Sequence, residues 1–147
     1  PKFKKLVLNK LKINIPNVGK SNFSETKGIR LIALQKDQIF AVFEKKSNYP
    51  INEIKSILGD EFYYSDQSDS WSITTISGDN TINALERICP LDLSIDSFKL
   101  NDAHRTSMEH IGVIILRINK NEFLLFSPRS SSNSFFHTLI NSAENIS

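Results

Sequence analysis

The chain has 147 residues, 39% of them apolar and 23% charged, with a formal net charge of +2, ten phenylalanines and a single cysteine. A chain of this length builds its own core as one domain or two small fused halves, and so small a charge points to no polyanionic partner. The lone Cys89 excludes an internal disulfide and fits a reducing compartment, and no apolar run approaches the ~20 residues that span a bilayer.

Residues 1–28 stand apart. Lys2, Lys4, Lys5, Lys10 and Lys12 make them basic, and Gly19 and Gly28 punctuate them. The stretch begins like a secretory leader, but Asn9, Lys10 and Lys12 interrupt any apolar h-region, so the expected location is the cytoplasm. The segment reads as a solvated N-terminal arm or an edge strand, or as an arm that docks on a partner subunit. A nucleic-acid role is disfavoured because no dense Lys/Arg cluster is interleaved with aromatics.

From Ile29 the pattern is regular. Ile29–Leu34 and Ile39–Phe43 read as strands joined by Lys36-Asp37, and the unbroken apolar run of the second predicts burial on both faces. Pro50 suits a first helical turn; Ile51, Ile54 and Leu58 give a one-sided stripe, and Gly59 is a stop. Phe62–Tyr64 is strand-like. After the polar loop Ser65–Ser70, Trp71, Ile73 and Thr75 alternate with Ser72 and Thr74 as in a half-buried strand. Ser77-Gly78-Asp79 offers a turn and a helix cap. Ile82, Leu85 and Ile88 stripe a short helix that Pro90 limits. His104 and His110 lie across a strand and turn. Ile111–Ile118 and Glu122–Phe126 form a hairpin about Asn119–Asn121. Ser131 to Ser134 are cap candidates for a last helix with Phe135, Leu139 and Ser142 beside Phe136, Ile140 and Ala143. Strand–strand–helix thus recurs about three times, and Trp71–Ile88 echoes Phe123–Ile140. The prediction is an α+β fold, mostly antiparallel sheets with helices on one face; the echo is a weak self-similarity, not a repeat array.

Catalytic chemistry is hard to place. No pair among His104, His110 and His137 has metal-ligand spacing, and Cys89 has no second cysteine beside it. As a nucleophile Cys89 needs a base or an electropositive site; as a residue following a buried stripe it reads as core. Asp60, Glu61, Asp66 and Asp69 surround the loop before Trp71, where paired carboxylates serve acid–base work or a cation, or simply cap turns. Five glycines in no phosphate-loop order and no G-x-S-x-G elbow leave neither a nucleotide cradle nor a hydrolase nucleophile. The residues by themselves describe an α+β domain without a catalytic set.

Three segments carry a resemblance. Ser65-Asp66-Gln67-Ser68-Asp69-Ser70-Trp71, then Ile76-Ser77-Gly78, then Cys89-Pro90-Leu91-Asp92-Leu93 are similar to the gamma subunits of heterotetrameric sarcosine oxidases. Phe98, Arg105-Thr106 and Pro128-Arg129-Ser130 continue the match, which covers residues 60–146 and is thin before them. The resemblance implies a complex that oxidatively demethylates sarcosine to glycine and hydrogen peroxide and passes the one-carbon unit to tetrahydrofolate. It implies alpha, beta and delta subunits as partners, with FAD, FMN, NAD, zinc and tetrahydrofolate held on those chains. It further implies that 29–147 form a single domain of two pseudo-repeated halves, an internally duplicated fold of the folate-binding type found in glycine-cleavage T proteins, and an isolated chain that is inactive. Asp66, Asp69, Trp71, Ser77, Gly78, Cys89, Pro90, Asp92, Arg105 and Arg129 are the matching positions, expected to serve structure or subunit contact: Asp92 as a turn cap, Arg105 and Arg129 as anchors to carboxylates or carbonyls, Trp71 as buried surface. A folate-binding one-carbon transfer module, or the small subunit of a related N-methyl amino acid dehydrogenase, are the alternatives.

Overall fold

Phe3, Val7 and Leu11 recur every four residues, so the lysine-rich start has one apolar face. The computed structural model of the chain describes residues 2–146 and makes that start a helix, α1 (Lys2–Leu11), with Val7 and Leu11 buried. The expectation of a solvated arm over 1–28 is corrected here: the lysines line the outer side of an amphipathic helix, and only Lys20–Ser24 is the edge strand, β1. The chain divides after Gln67, not after residue 28, into two compact units, Pro1–Gln67 and Ser68–Ser147. The expected single domain over 29–147 is therefore two bodies.

In the first unit β1, β2 (Ile29–Gln35) and β3 (Gln38–Val42) form an antiparallel meander in chain order, turning at Lys36-Asp37. The central strand is the buried one, with Ile29, Leu31, Ile32 and Ala33 out of solvent. β3 is half exposed, against the expectation of two covered faces, because it lies at the sheet edge with a neighbour on one side only. α2 (Pro50–Leu58) opens on Pro50 and stops at Gly59, whose φ of 88° suits glycine. Its Ile54 and Leu58 meet Val7, Leu11, Ile29 and Leu31 in one cluster, so both helices cover the same face of the sheet. Ser24 Oγ donates to the Leu11 carbonyl at 2.5 Å and ties the end of α1 to β1. Phe62–Tyr64 is not a strand. Its aromatics serve the helices instead: the Phe62 ring stands edge-on to Phe3 at 4.8 Å, and the Tyr64 hydroxyl donates to the Gly59 carbonyl at 2.8 Å.

The second unit runs β4 (Trp71–Ser77), α3 (Thr81–Glu86), β5 (Ala103–Met108), β6 (Ile111–Asn119), β7 (Glu122–Pro128), a 3-10 turn (Arg129–Ser131) and α4 (Ser132–Glu144). Its four strands are antiparallel in the order β4-β7-β6-β5. Period-two alternation sends Val113, Ile115, Phe123 and Leu125 to one face, where they pack with Leu85 and Cys89, Phe135 and Leu139 under α3 and α4. Ser142 Oγ donates to the Ala84 carbonyl at 2.5 Å, fastening α4 to α3. The echo in the sequence has a geometric meaning: β4–α3 and β7–α4 lie side by side and antiparallel, with Trp71 opposite Pro128 and Ser77 opposite Glu122. Gly78 turns β4 toward α3 at φ +126°, with its N–H on the Asn121 carbonyl at 3.1 Å; a side chain there is strained by the backbone, its Cβ meeting Thr81 Oγ1 only at an ordinary 3.9 Å. Neither Ser77 nor Asp79 caps α3, which begins behind Asn80 without a side-chain cap. The architecture is α+β, two antiparallel sheets each carrying helices on one face.

Candidate functional site

The positions singled out in the sequence are spread over several elements. Along β4, Trp71 and Ser77 are six residues apart, about 20 Å at the rise of a strand, so Ser77 and Gly78 belong to the far end of the sheet from Trp71. Cys89, Pro90 and Asp92 follow α3. Cys89 is buried in the helix-side core, as a small core residue would be. Asp66 is exposed at the end of the first unit, and Asp69 is exposed in the turn before β4.

Asp92 closes a turn in the way its position predicts. One carboxylate oxygen accepts the Ser94 N–H at 3.0 Å and the other the Ser97 hydroxyl at 2.9 Å. These bonds, the Ser94 backbone donor first, hold the Asp92 carboxyl below the usual aspartate range. A depressed carboxyl adds stability above its unfolded pKa of about 3.9 and loses it as pH falls through the lower folded value. Asp92→Ala should therefore lower the urea midpoint at pH 7, and the gap to the unsubstituted chain should close as the pH is taken down through that range.

Arg129 and Trp71 form a joint. The Arg129 guanidinium Nη2 donates to the Ser68 and Trp71 carbonyls, each at 3.2 Å, and the Arg129 N–H donates to the Ser70 carbonyl at 3.0 Å. The side chain thus holds the turn 68–70 against the start of β4. Arg105 is different. It projects from β5 opposite Ile114, is exposed, and its side chain makes no hydrogen bond or ion pair with the described residues.

Register brings Arg105 and Trp71 to one face of the sheet, the face opposite the helices. Ile73, Phe126, Ile114 and Arg105 stand in one row across the four strands. Trp71 and Pro128 pair in the next row, where Gly112 faces Ser107. A cleft of about 260 Å³ lies there, lined by Trp71, Arg105, Thr106, Gly112, Val113 and Pro128. A second cleft, about 280 Å³, lies in the first unit between Lys4, Lys5, Leu8, Asn14 and Ile15. Neither lining contains a carboxylate. Among the described residues no three His, Cys, Asp or Glu side chains gather as a metal-binding group, and no helix is long and apolar enough to cross a membrane. His104 lies against Phe98 with ring centroids 5.3 Å apart, while His110 sits at positive φ in the β5–β6 turn.

The polar centre of the second unit is a residue that sequence reasoning passed over. Arg117, on the helix-side face of β6, is fully buried. Its Nε and Nη2 donate to the Lys120 carbonyl at 3.1 and 2.8 Å, Nη1 donates to the Phe98 carbonyl, and the guanidinium lies 4.9 Å from the Phe123 ring centroid. Burial lowers its pKa, while the buried Asp102 opposes that shift. The signal available in the sequence was one arginine inside the apolar run Ile111–Ile118, since a charge there must be partnered.

No family model and no curated protein matches the chain. Among solved structures it is similar to a chain of the heterotetrameric sarcosine oxidase from Corynebacterium sp. U-96 in complex with pyrrole 2-carboxylate. The identity is 21%, the TM-score 0.83, and the match covers 99% of this chain and 75% of that one. What the likeness establishes is architecture: this chain has the fold of a chain of heterotetrameric sarcosine oxidase.

Proposed function

We propose that the chain is the small gamma-type subunit of a heterotetrameric sarcosine-oxidising complex and that it serves assembly and stability rather than chemistry. The observation that carries this reading is the fold likeness, which extends over 99% of the chain and agrees with the motif resemblance around Trp71, Gly78 and Cys89-Pro90. The disposition of the chemistry-bearing side chains supports the non-catalytic part. Arg117, Arg129 and Asp92 are committed to backbone groups and a turn, and Cys89 to the core. In this reading FAD, FMN, NAD, zinc and tetrahydrofolate reside on the alpha, beta and delta subunits, where sarcosine is demethylated to glycine and hydrogen peroxide and the one-carbon unit passes to tetrahydrofolate. The folate-type fold remains here as a scaffold. A pterin ring needs partners for its polar edge in a pocket, and the acids Asp60, Glu61, Asp66 and Asp69 line neither cleft.

Co-expression with the alpha and beta subunits, followed by size-exclusion chromatography, tests the reading. The expected result is co-elution in a stable complex, with no turnover of sarcosine by the chain alone. Elution of the chain by itself under every condition would remove the reading. Titration of the isolated chain with tetrahydrofolate in a calorimeter should give no binding heat; saturable heat would favour the one-carbon transfer module.

A further inference from the structure

The cleft beside Trp71 has three features that the fold does not need. Its floor is Gly112, the second residue of β6, paired with Ser107 of β5, where a strand gains nothing from glycine. A Cβ built there meets no atom within 4 Å, so the glycine leaves a trough instead of relieving a clash. One wall is apolar, made by Trp71 and Pro128, and it continues into Ile73, which is 50% exposed. The other wall is Arg105, whose side-chain donors find no acceptor among the described residues, whereas the guanidinium groups of Arg117 and Arg129 each donate to two carbonyls. A guanidinium offers five donors in a fixed fork matched to a carboxylate, and no carboxylate lines this cleft.

We infer that the Trp71–Gly112–Arg105 cleft is the seat of a partner subunit's chain segment, an apolar side chain over Gly112 against Trp71 and Pro128 with a neighbouring carboxylate on Arg105. Size favours a side chain over a free ligand: about 260 Å³ is below the roughly 300–1,000 Å³ typical of small-molecule sites. Anchors of this composition, an aromatic and an arginine around a small pocket, are where binding energy concentrates in protein interfaces. The unmatched positive charge identifies the sign of the partner. The inference rests on the subunit reading above and adds to it the contact face and its chemistry.

The test uses the co-expressed complex. Arg105→Glu reverses the charge of an exposed side chain, and Gly112→Val fills the trough with a residue that strands accept. Each is expected to reduce the chain bound to the alpha and beta subunits at least tenfold, while Arg105→Lys retains part of it and Lys10→Glu, on the outside of α1, leaves it unchanged. Thermal unfolding of each isolated variant should stay within about a degree of the parent chain. If both cleft variants keep that stability and still co-elute like the parent chain, the inference is overturned and the subunit reading stands. If the parent chain itself fails to co-elute, the subunit reading falls and the inference with it.

Discussion

Arg117→Met is expected to destabilise the chain by about 3–5 kcal/mol, the cost typical of removing one partner from a buried charged network. Methionine keeps most of the volume and the apolar stem, so packing loss is small, and the effect isolates the guanidinium. Three donated hydrogen bonds disappear, two to the Lys120 carbonyl and one to that of Phe98. Lys120 lies in the β6–β7 turn, and Phe98 lies in the segment leading into β5. Both carbonyls lose a charged donor, each worth roughly 1.5–3 kcal/mol, and the buried Asp102 loses the nearby positive charge. Arg117→Lys should recover only part of the loss, because an ammonium cannot fork between Lys120 and Phe98. Arg117→Met with Asp102→Asn should be less destabilised than the sum of the single changes, since the double variant leaves no lone carboxylate. Urea midpoints at neutral pH measure all four. A loss below about 1 kcal/mol for Arg117→Met would show that the side chain is solvated in the folded protein and that the segment 98–102 is held by backbone bonds alone.

Periodicity made much of this fold legible. Ile29–Leu34, Trp71–Thr75, Ile111–Ile118 and Glu122–Phe126 emerge as β2, β4, β6 and β7 within a residue or two, and Pro50 and Gly59 bound α2 as their conformational limits require. The failures have separate physical causes. In α1 the Phe3-Val7-Leu11 stripe is embedded among five lysines at Lys2, Lys4, Lys5, Lys10 and Lys12, so composition masked a one-sided pattern. In β3 an apolar run suggested two covered faces, yet sheet order decides burial, and sheet order is not local. At Phe62–Tyr64 three aromatic residues have high strand propensity, which tertiary contacts with Phe3 and Gly59 override. The division after Gln67 has no marker stronger than a polar loop. The candidate site was legible in its members and not in its arrangement. Trp71, Arg105 and Arg129 were singled out by resemblance, but only the successive pairing of β4 with β7, β7 with β6 and β6 with β5 sets Trp71 and Arg105 on one face. Gly112, unremarkable in sequence, becomes the floor between them.

Phe123→Ala should cost about 3–5 kcal/mol, and Phe136→Ala less than about 0.5 kcal/mol, although the same atoms are deleted. Phe123 is fully buried on β7, between the strand-borne Ile115 and Leu125 and the helix-borne Phe135 and Leu139. Its ring centroid lies 6.2 Å from that of Phe98, and it is the ring against which the Arg117 guanidinium lies. Truncation leaves a void that a four-stranded sheet cannot close without moving α4, and it strips Arg117 of its aromatic face, a contact worth about 2 kcal/mol when desolvated. Phe136 follows the buried Phe135 on α4 and is 52% exposed, so its ring is already half in water and alanine is the better helix former. For a chain of this size the first change predicts a fall of roughly 6–20 °C in Tm and the second a shift of at most about 2 °C, both readable by calorimetry. The double variant Phe123→Ala with Arg117→Met should fall short of additivity, because each single change already breaks the contact between the two side chains. Strict additivity would mean that ring and guanidinium are neighbours without being coupled, and that the centre of the second unit is held by apolar packing and by the carbonyl bonds of Arg117 acting independently.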